Sequence, residues 1–281
     1  MKTIQPFDFP LKNVIVQFSD DDEEHLPSPI LTRPHLEVNE NDFLLKVKNV
    51  AEYRVQDGER VFVRPLNGID KASVQLFLEG SVLGAILHQR GVLPFHGSSF
   101  EYKGKGVMIC GNSGAGKSSI TEAFCRNGAR FVSDDITPVG VSGKETKMFP
   151  VKSRIKLWDD SLKMLKIENA GFDKIRPGLD KFYLPSREVI SGEQRLDHMI
   201  VLRVHNEEKF EMHELSGMEK YNVLRKQIYR SIYLKGMPEK EKLYFKHMFQ
   251  VASSVRITIV VRPQICNIFD AMEQIQKAIV S

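Results

Sequence analysis

Apolar and polar positions alternate over the first part of the chain. FLLKV at residues 43–47 and RVFVR at 60–64 carry the two-residue period of strands, and YRVQDGERVFV places Asp57-Gly58 as the turn of a hairpin. From Asp70 the period lengthens. Val74, Phe77, Leu78, Val82, Ala85 and Ile86 recur every three or four positions, which is one face of an amphipathic helix. Asp70 is placed to cap its start, and Gly91 follows its last turn. A strand-rich centre comes next: VLPFHGSSF, a KGKG turn, and VMIC. The pattern then predicts a helix from Ser118 to Arg126, ended by Asn127-Gly128, with ARFV, RIKLW and HMIVLRV as strands. Helical spacing is longest over Met218 to Leu234 and Lys240 to Ser253. VRITIVV reads as a strand, and a last helix ends near Val280. There is no internal repeat, and no linker divides the chain cleanly. The reading is an α/β protein: residues 1–90 as a β-rich N-terminal extension, packed on a core of residues 91–281.

Composition alters this little. Of 281 residues, 27% are charged and 42% hydrophobic, which is usual for a globular protein. Forty basic residues against 36 acidic ones give +4, with no dense Lys/Arg run, so no nucleic-acid partner is expected. The acidic run DDDEE at residues 20–24 reads as a solvated loop. No apolar stretch reaches the roughly 20 residues of a membrane span. The start, MKTIQPFDFP, lacks the apolar core of a signal peptide. Cys110, Cys125 and Cys266 are odd in number and too widely spaced for a disulfide framework or a zinc site. They read as buried free thiols of a reducing cytoplasm, and no membrane partner is expected. Oligomerisation is left open.

The run CGNSGAGKSS, residues 110–119, carries the chemistry. Gly111-Asn112-Ser113-Gly114-Ala115-Gly116-Lys117-Ser118 matches the P-loop (Walker A) pattern G-x-x-x-x-G-K-[ST], and Ser119 follows it. An apolar strand precedes the motif and a helix follows it, which is the context the motif needs. Its glycines let successive N–H groups turn toward phosphate oxygens, and the helix adds the positive end of its dipole. Lys117 can reach the β- and γ-phosphates and the Ser118 hydroxyl can ligand Mg²⁺, so ATP and Mg²⁺ are the expected cofactors.

Two flanks indicate where the phosphate goes. FVSDDI puts Asp134 and Asp135 at the end of the strand after the P-loop helix. HMIVLRV ends without an acid and RITIVV runs into Arg262-Pro263, so this pair is the candidate metal-side carboxylate. Neighbours in extended chain point to opposite sides. One acid is then expected to face the metal and loop, the other an acceptor, and a carboxylate beside the γ-phosphate is what transfer to a hydroxyl requires. The second flank is His96 in LPFHGSSF. A lone histidine beside a strand is usually structural. If FHG and VMIC pair as a hairpin around YKGKG, however, His96 lies near the loop or its neighbour, and Gly97 permits close backbone approach.

Taken in order, HG, GNSGAGKSS, ITEAFCRNGARF and SDD resemble the HPr kinase/phosphorylase family and the phosphoenolpyruvate carboxykinase-like fold it shares. The resemblance covers residues 92–140. It extends more loosely through LEGSVLGAILHQRGVLPFHGSS and RIKLWDDSLKML, which look like the shorter HPr-kinase-like kinases, including those of peptide-modification clusters. It implies a P-loop core with a mixed sheet and flanking helices. It also implies that His96 contacts the phosphate or the acidic pair, Lys117 binds phosphate, and Ser118 and Asp134 hold Mg²⁺. Asp135 would be the base, with the opposite order of the two acids also open. Two family features have poor counterparts. Asp159 and Asp160 are the nearest acids to the expected metal-binding glutamate, and KIRPGLDK, with Arg176 and Lys181, is the nearest run to the arginine motif. These departures, with only about ninety residues before the core, argue against HPr as acceptor and against reverse phosphorolysis.

The leading reading is an ATP-dependent kinase acting on a hydroxyl of a peptide, protein or small molecule. The alternative is a regulatory P-loop ATPase acting on a protein partner without stable transfer. ELSGMEK matches a transporter-ATPase signature in three residues and is followed by EKLYFKHMF rather than an acid-ended strand. The intact GKS and SDD argue against a noncatalytic module, and the length argues against a carboxykinase.

Overall fold

The N-terminal alternation builds a six-stranded sheet. Ile15–Phe18, Leu31–Arg33, Leu36–Val38, Asp42–Val47, Ala51–Gln56 and Arg60–Pro65 lie in the spatial order 15–18, 60–65, 51–56, 42–47, 36–38, 31–33. The first pair is parallel and the rest antiparallel. The protein is seen here in a computed structural model that describes residues 7, 9–19, 25–151, 154–186 and 188–280. The DDDEE run and most of the opening decapeptide lie outside those residues. The chain divides into two units. One takes in the chain as far as Leu93 with Tyr229–Lys246, and the other takes in Pro94–Ile228 and the chain from His247 onward.

In the first unit, AEYRVQ shows why the period works. Ala51, Tyr53 and Val55 are buried while the residues between them are half-exposed. The Tyr53 hydroxyl donates to the Val74 carbonyl (3.1 Å), tying the sheet to the helical segment. Asp57-Gly58 forms the hairpin turn, with the Glu59 N–H bonded back to the Gln56 carbonyl (3.0 Å). Asp70 caps the helix as expected, accepting the Ser73 N–H at 2.7 Å. The helix is not uniform, however. Lys71–Phe77 and Leu83–Gln89 are α-helical, and Leu78–Val82 widens into a π-turn. Here the Tyr229 ring packs on the helix backbone, so close that a Cβ on Gly84 would meet it at 3.0 Å.

The second unit holds a mixed sheet ordered Arg130–Ser133, Gly97–Tyr102, Lys105–Gly111, His198–His205, Arg256–Pro263, Glu211–Glu214. Its three central strands, Lys105–Gly111, His198–His205 and Arg256–Pro263, run parallel. Helices Lys117–Arg126 and Ile268–Val280 flank it, with Ile120, Phe124, Ile275 and Ile279 buried in one cluster with Phe100, Val107, Ile109 and Ile200. VMIC is buried on both faces, as a central parallel strand must be. The architecture is thus mixed α/β with flanking helices.

One predicted helix is corrected. Met218 to Leu234 is not continuous: Gly217–Lys226 is α-helical, and a 3₁₀ turn at Ser231–Gly236 follows a break. At the break the Gln227 carbonyl accepts the His96 N–H (2.8 Å), and Ile228 bridges antiparallel to Phe95. Pairing with a strand takes up backbone groups that a continuing helix would use, and this outweighs the apolar spacing. The cysteines are free, but only Cys110 is buried; Cys125 and Cys266 are half-buried. Among the described residues no helix is long and apolar enough to cross a membrane.

Two buried imidazoles make stability depend on pH. Burial pushes His88 down to about 4, against the opposing Tyr229 carbonyl, and burial with the Arg256 charge takes His198 to about 4. Each belongs to a different unit. Unfolding returns both toward the usual value near 6.5, so below that pH the unfolded chain binds protons that the folded chain refuses until about pH 4. Stability is complete above about pH 6.5 and declines as the pH is lowered toward 4, on the order of 3 kcal/mol for each imidazole. Urea midpoints should fall between pH 7 and 5, and His88→Phe should remove the share belonging to its unit. A flat profile over that range would refute this.

Candidate active site

The glycine loop leaves the sheet where two backbones nearly touch. Leu202 lies opposite Gly111 on the parallel neighbour, and a Cβ on Gly111, whose φ is 142°, would sit 2.6 Å from the Leu202 carbonyl oxygen. Gly116 closes the loop at φ 99° as N-cap of the helix Lys117–Arg126, a conformation side-chain-bearing residues avoid. The unbonded N–H groups of the helix's first turn therefore open onto the loop. Phe124 stacked on Phe100 (centroids 4.6 Å apart) anchors the helix to the sheet.

The Lys117 ammonium folds back onto the loop, donating to the Gly111 carbonyl (3.0 Å) and the Asn112 carbonyl (3.2 Å). Burial lowers its pKa, with Cys110, Asp135 and Asp134 acting the other way. Ser113, Gly114, Gly116, Lys117, Ser118 and Ser119 line a cleft. Gly111, Asn112 and Ala115 instead supply carbonyls to cations. The Ala115 carbonyl accepts from Arg262 Nε (2.9 Å), whose Nη1 also donates to the Pro263 carbonyl (2.7 Å). Arg262, read from the sequence only as the run-out of a strand, braces the loop from the end of a strand two places away in the sheet.

The predicted hairpin around YKGKG forms, with Gly97 opposite Cys110, and this brings His96 beside the start of the loop. The acidic pair reaches the same cleft by a different geometry from the one expected. The strand ends at Ser133, and the Ile136 N–H bonds the Asp134 carbonyl (2.9 Å) around Asp135, whose φ is 71°. A three-residue turn with positive φ at its centre is strained. The two carboxylates diverge because of this turn, not because of extended-strand alternation.

Asp134 is buried and faces the loop. Its Oδ1 accepts from the Ser118 hydroxyl (2.7 Å) and its Oδ2 from the Lys156 N–H (2.9 Å). Asp135 lies between two nitrogen-bearing side chains, with Oδ2 2.9 Å from Lys156 Nζ and Oδ1 3.7 Å from His96 Nδ1. His96 Nδ1 is 3.0 Å from the Asp135 carbonyl, which can only accept, so Nδ1 carries a proton. Burial lowers the His96 pKa, the Lys117 charge adds to this, and Asp135 opposes it.

A two-stranded ribbon, Arg154–Trp158 with Lys181–Pro185, completes the cleft. Its Ile155, Leu157, Phe182 and Leu184 face is buried in the core cluster. The opposite face carries Arg154 over the Tyr183 ring (3.8 Å to the centroid), Lys156, and Trp158 with Lys181 Nζ 5.4 Å from its ring centroid. Lys156, Trp158 and Lys181 all line the cleft. Lys181, a candidate on sequence grounds, has its pKa lowered by burial and is favoured in its charged form by Asp135 and Asp134. Sequence reasoning missed Lys156 and Trp158; the signal was their alternation with the aliphatic Ile155 and Leu157 in RIKLW.

Other candidates fall away from the cleft. Arg176 is exposed and does not line it. Asp159 pairs with Lys163 (2.6 Å) and accepts from Asn169 (2.7 Å). A separate group, His205, Glu207 and Glu211, has ligand atoms mutually close enough for a metal. There, however, the Lys209 ammonium lies 3.1 Å from Glu207 and 3.0 Å from Glu211.

No family model matches the chain. No curated protein matches it. Among solved structures, the HPr(Ser) kinase/phosphatase from Coxiella burnetii is similar with a TM-score of 0.36 and 12% identity, over 66% of this chain and 96% of that one.

Proposed function

We propose that this chain is a Mg²⁺- and ATP-dependent kinase that transfers the γ-phosphoryl group to a hydroxyl of a peptide, protein or small molecule, on a P-loop core of the HPr-kinase-like type. One observation carries the reading. The two carboxylates beside the glycine loop are differentiated, Asp134 being bonded to Ser118 and Asp135 facing the open cleft between His96 and Lys156. An ATPase needs the first acid, whereas transfer to an alcohol gives the second a task.

In this reading the loop N–H groups from Ser113 to Ser118 and the Lys117 ammonium hold the β- and γ-phosphates. Lys117 trades its two loop carbonyls for phosphate oxygens, a charge-assisted and stronger bond. Ser118 Oγ and Asp134 Oδ1, hard donors 2.7 Å apart, are the residues that would hold Mg²⁺. Bound there, the ion would offset charge on the terminal phosphates. Asp135 takes the acceptor's proton. His96, through its Nδ1–H on the Asp135 carbonyl, holds the strained turn in place.

Incubating the purified chain with Mg²⁺, γ-labelled ATP and an extract of the source cell tests this. Label on a protein, peptide or small-molecule hydroxyl supports the kinase. Release of all label as inorganic phosphate, with no labelled product, would replace it with the regulatory ATPase.

A further inference from the structure

We infer that Lys156 is a second phosphoryl-binding cation that leaves Asp135 for the terminal phosphoryl group when a triphosphate binds. The inference rests on the kinase reading and adds to it a residue that no motif in the chain marks.

Lys156 is placed unlike a surface lysine. It sits in the middle of RIKLW with buried Ile155 and Leu157 on either side, and its side chain is 7% exposed. Its main chain and side chain hold different acids. The N–H bonds Asp134 Oδ2 at 2.9 Å, and the ammonium bonds Asp135 Oδ2 at 2.9 Å. The backbone pivot is therefore fixed to the acid bonded to Ser118, and the long side chain can change partner without moving the strand. Three ammonium groups, those of Lys117, Lys156 and Lys181, line the cleft against two carboxylates. That excess of positive charge suits a polyanion.

Once a triphosphate enters, Lys156 has two anionic partners within reach of the cleft, the Asp135 carboxylate and the terminal phosphoryl group. A terminal phosphoryl group carries more charge than one carboxylate and offers several oxygens, which makes it the stronger partner for Lys156. The transfer step then balances. The acceptor O–H gives its proton to Asp135 as the acceptor oxygen bonds Pγ. The bond from Pγ to the bridging oxygen breaks, and ADP leaves with that electron pair. Lys156 meets the charge on the equatorial oxygens throughout, as a preorganised cation should.

The test is calorimetric binding of ADP and of a non-hydrolysable triphosphate, each with Mg²⁺, to the wild type, Lys156→Met and Lys156→Gln, with circular dichroism to confirm folding. We expect triphosphate affinity to fall ten- to a hundredfold in either variant while ADP affinity changes less than threefold. Lys156→Arg should recover most of the loss. Equal losses for ADP and triphosphate, or no loss for either, would overturn the assignment of Lys156 and leave the kinase reading standing. A wild-type protein that binds neither nucleotide would overturn both. Should the Met variant not fold, the Gln and Arg variants decide.

Discussion

Asp135→Asn is expected to bind ATP nearly as well as the native protein and to lose phosphoryl transfer by two to four orders of magnitude, the span ordinarily attributed to a positioned general base. Asparagine suits this test for a conformational reason. Asp135 sits at φ 71°, where asparagine is tolerated and most other residues are strained, so the turn survives the substitution. The amide still occupies the space between His96 and Lys156 but cannot take up a proton at neutral pH. Single-turnover transfer under saturating ATP measures the chemistry, and titration with a non-hydrolysable triphosphate measures binding. Native transfer rates in this variant would end the assignment of Asp135 as the base.

Lys117→Met carries the second-largest effect, and it falls on binding as well as chemistry. Lys117 is 9% exposed, and among the described residues its ammonium bonds main-chain carbonyls, Gly111 at 3.0 Å and Asn112 at 3.2 Å. Removing it should lower triphosphate affinity and the transfer rate together, each by about 10²–10³-fold, the cost of deleting one charged donor from a preorganised phosphate or oxyanion site. Stability should respond in the other direction or hardly at all, since a buried ammonium carries a desolvation cost that a thioether does not. A thermal melt beside the binding titration separates the two. A large drop in melting temperature with little change in affinity would identify Lys117 as a structural tie of the loop.

The parts of the site that could be read from the sequence are those encoded in continuous runs. GNSGAGKSS needs only a strand before it and a helix after it, and the helix packs where its apolar stripe directs it. SDD follows as the next element. His96 came within reach through a hairpin whose turn, Lys103-Gly104, joins Tyr102 paired with Lys105. What could not be read depends on register between distant segments. Lys156 and Trp158 reach the cleft because RIKLW pairs with KFYLP and turns its apolar face to the core. Arg262 reaches Ala115 because its strand is two removed from the loop-bearing strand in the sheet. Local period told little about the backbone around Gln227, because the competing partner, the His96 N–H, lies more than a hundred positions earlier. The acidic pair lies beside the loop, but a tight turn and not strand alternation turns its two carboxylates apart.

Trp158 gives the molecule an optical consequence. It is the one tryptophan of the chain, 47% exposed, and it lines the same cleft as the glycine loop with the Lys181 ammonium near its indole. Ultraviolet emission excited at the red edge of protein absorption therefore originates from a single lamp at the mouth of the cleft. Its colour and quenching by iodide or acrylamide should respond to anything that enters, so the protein carries a built-in gauge of occupancy that needs no dye.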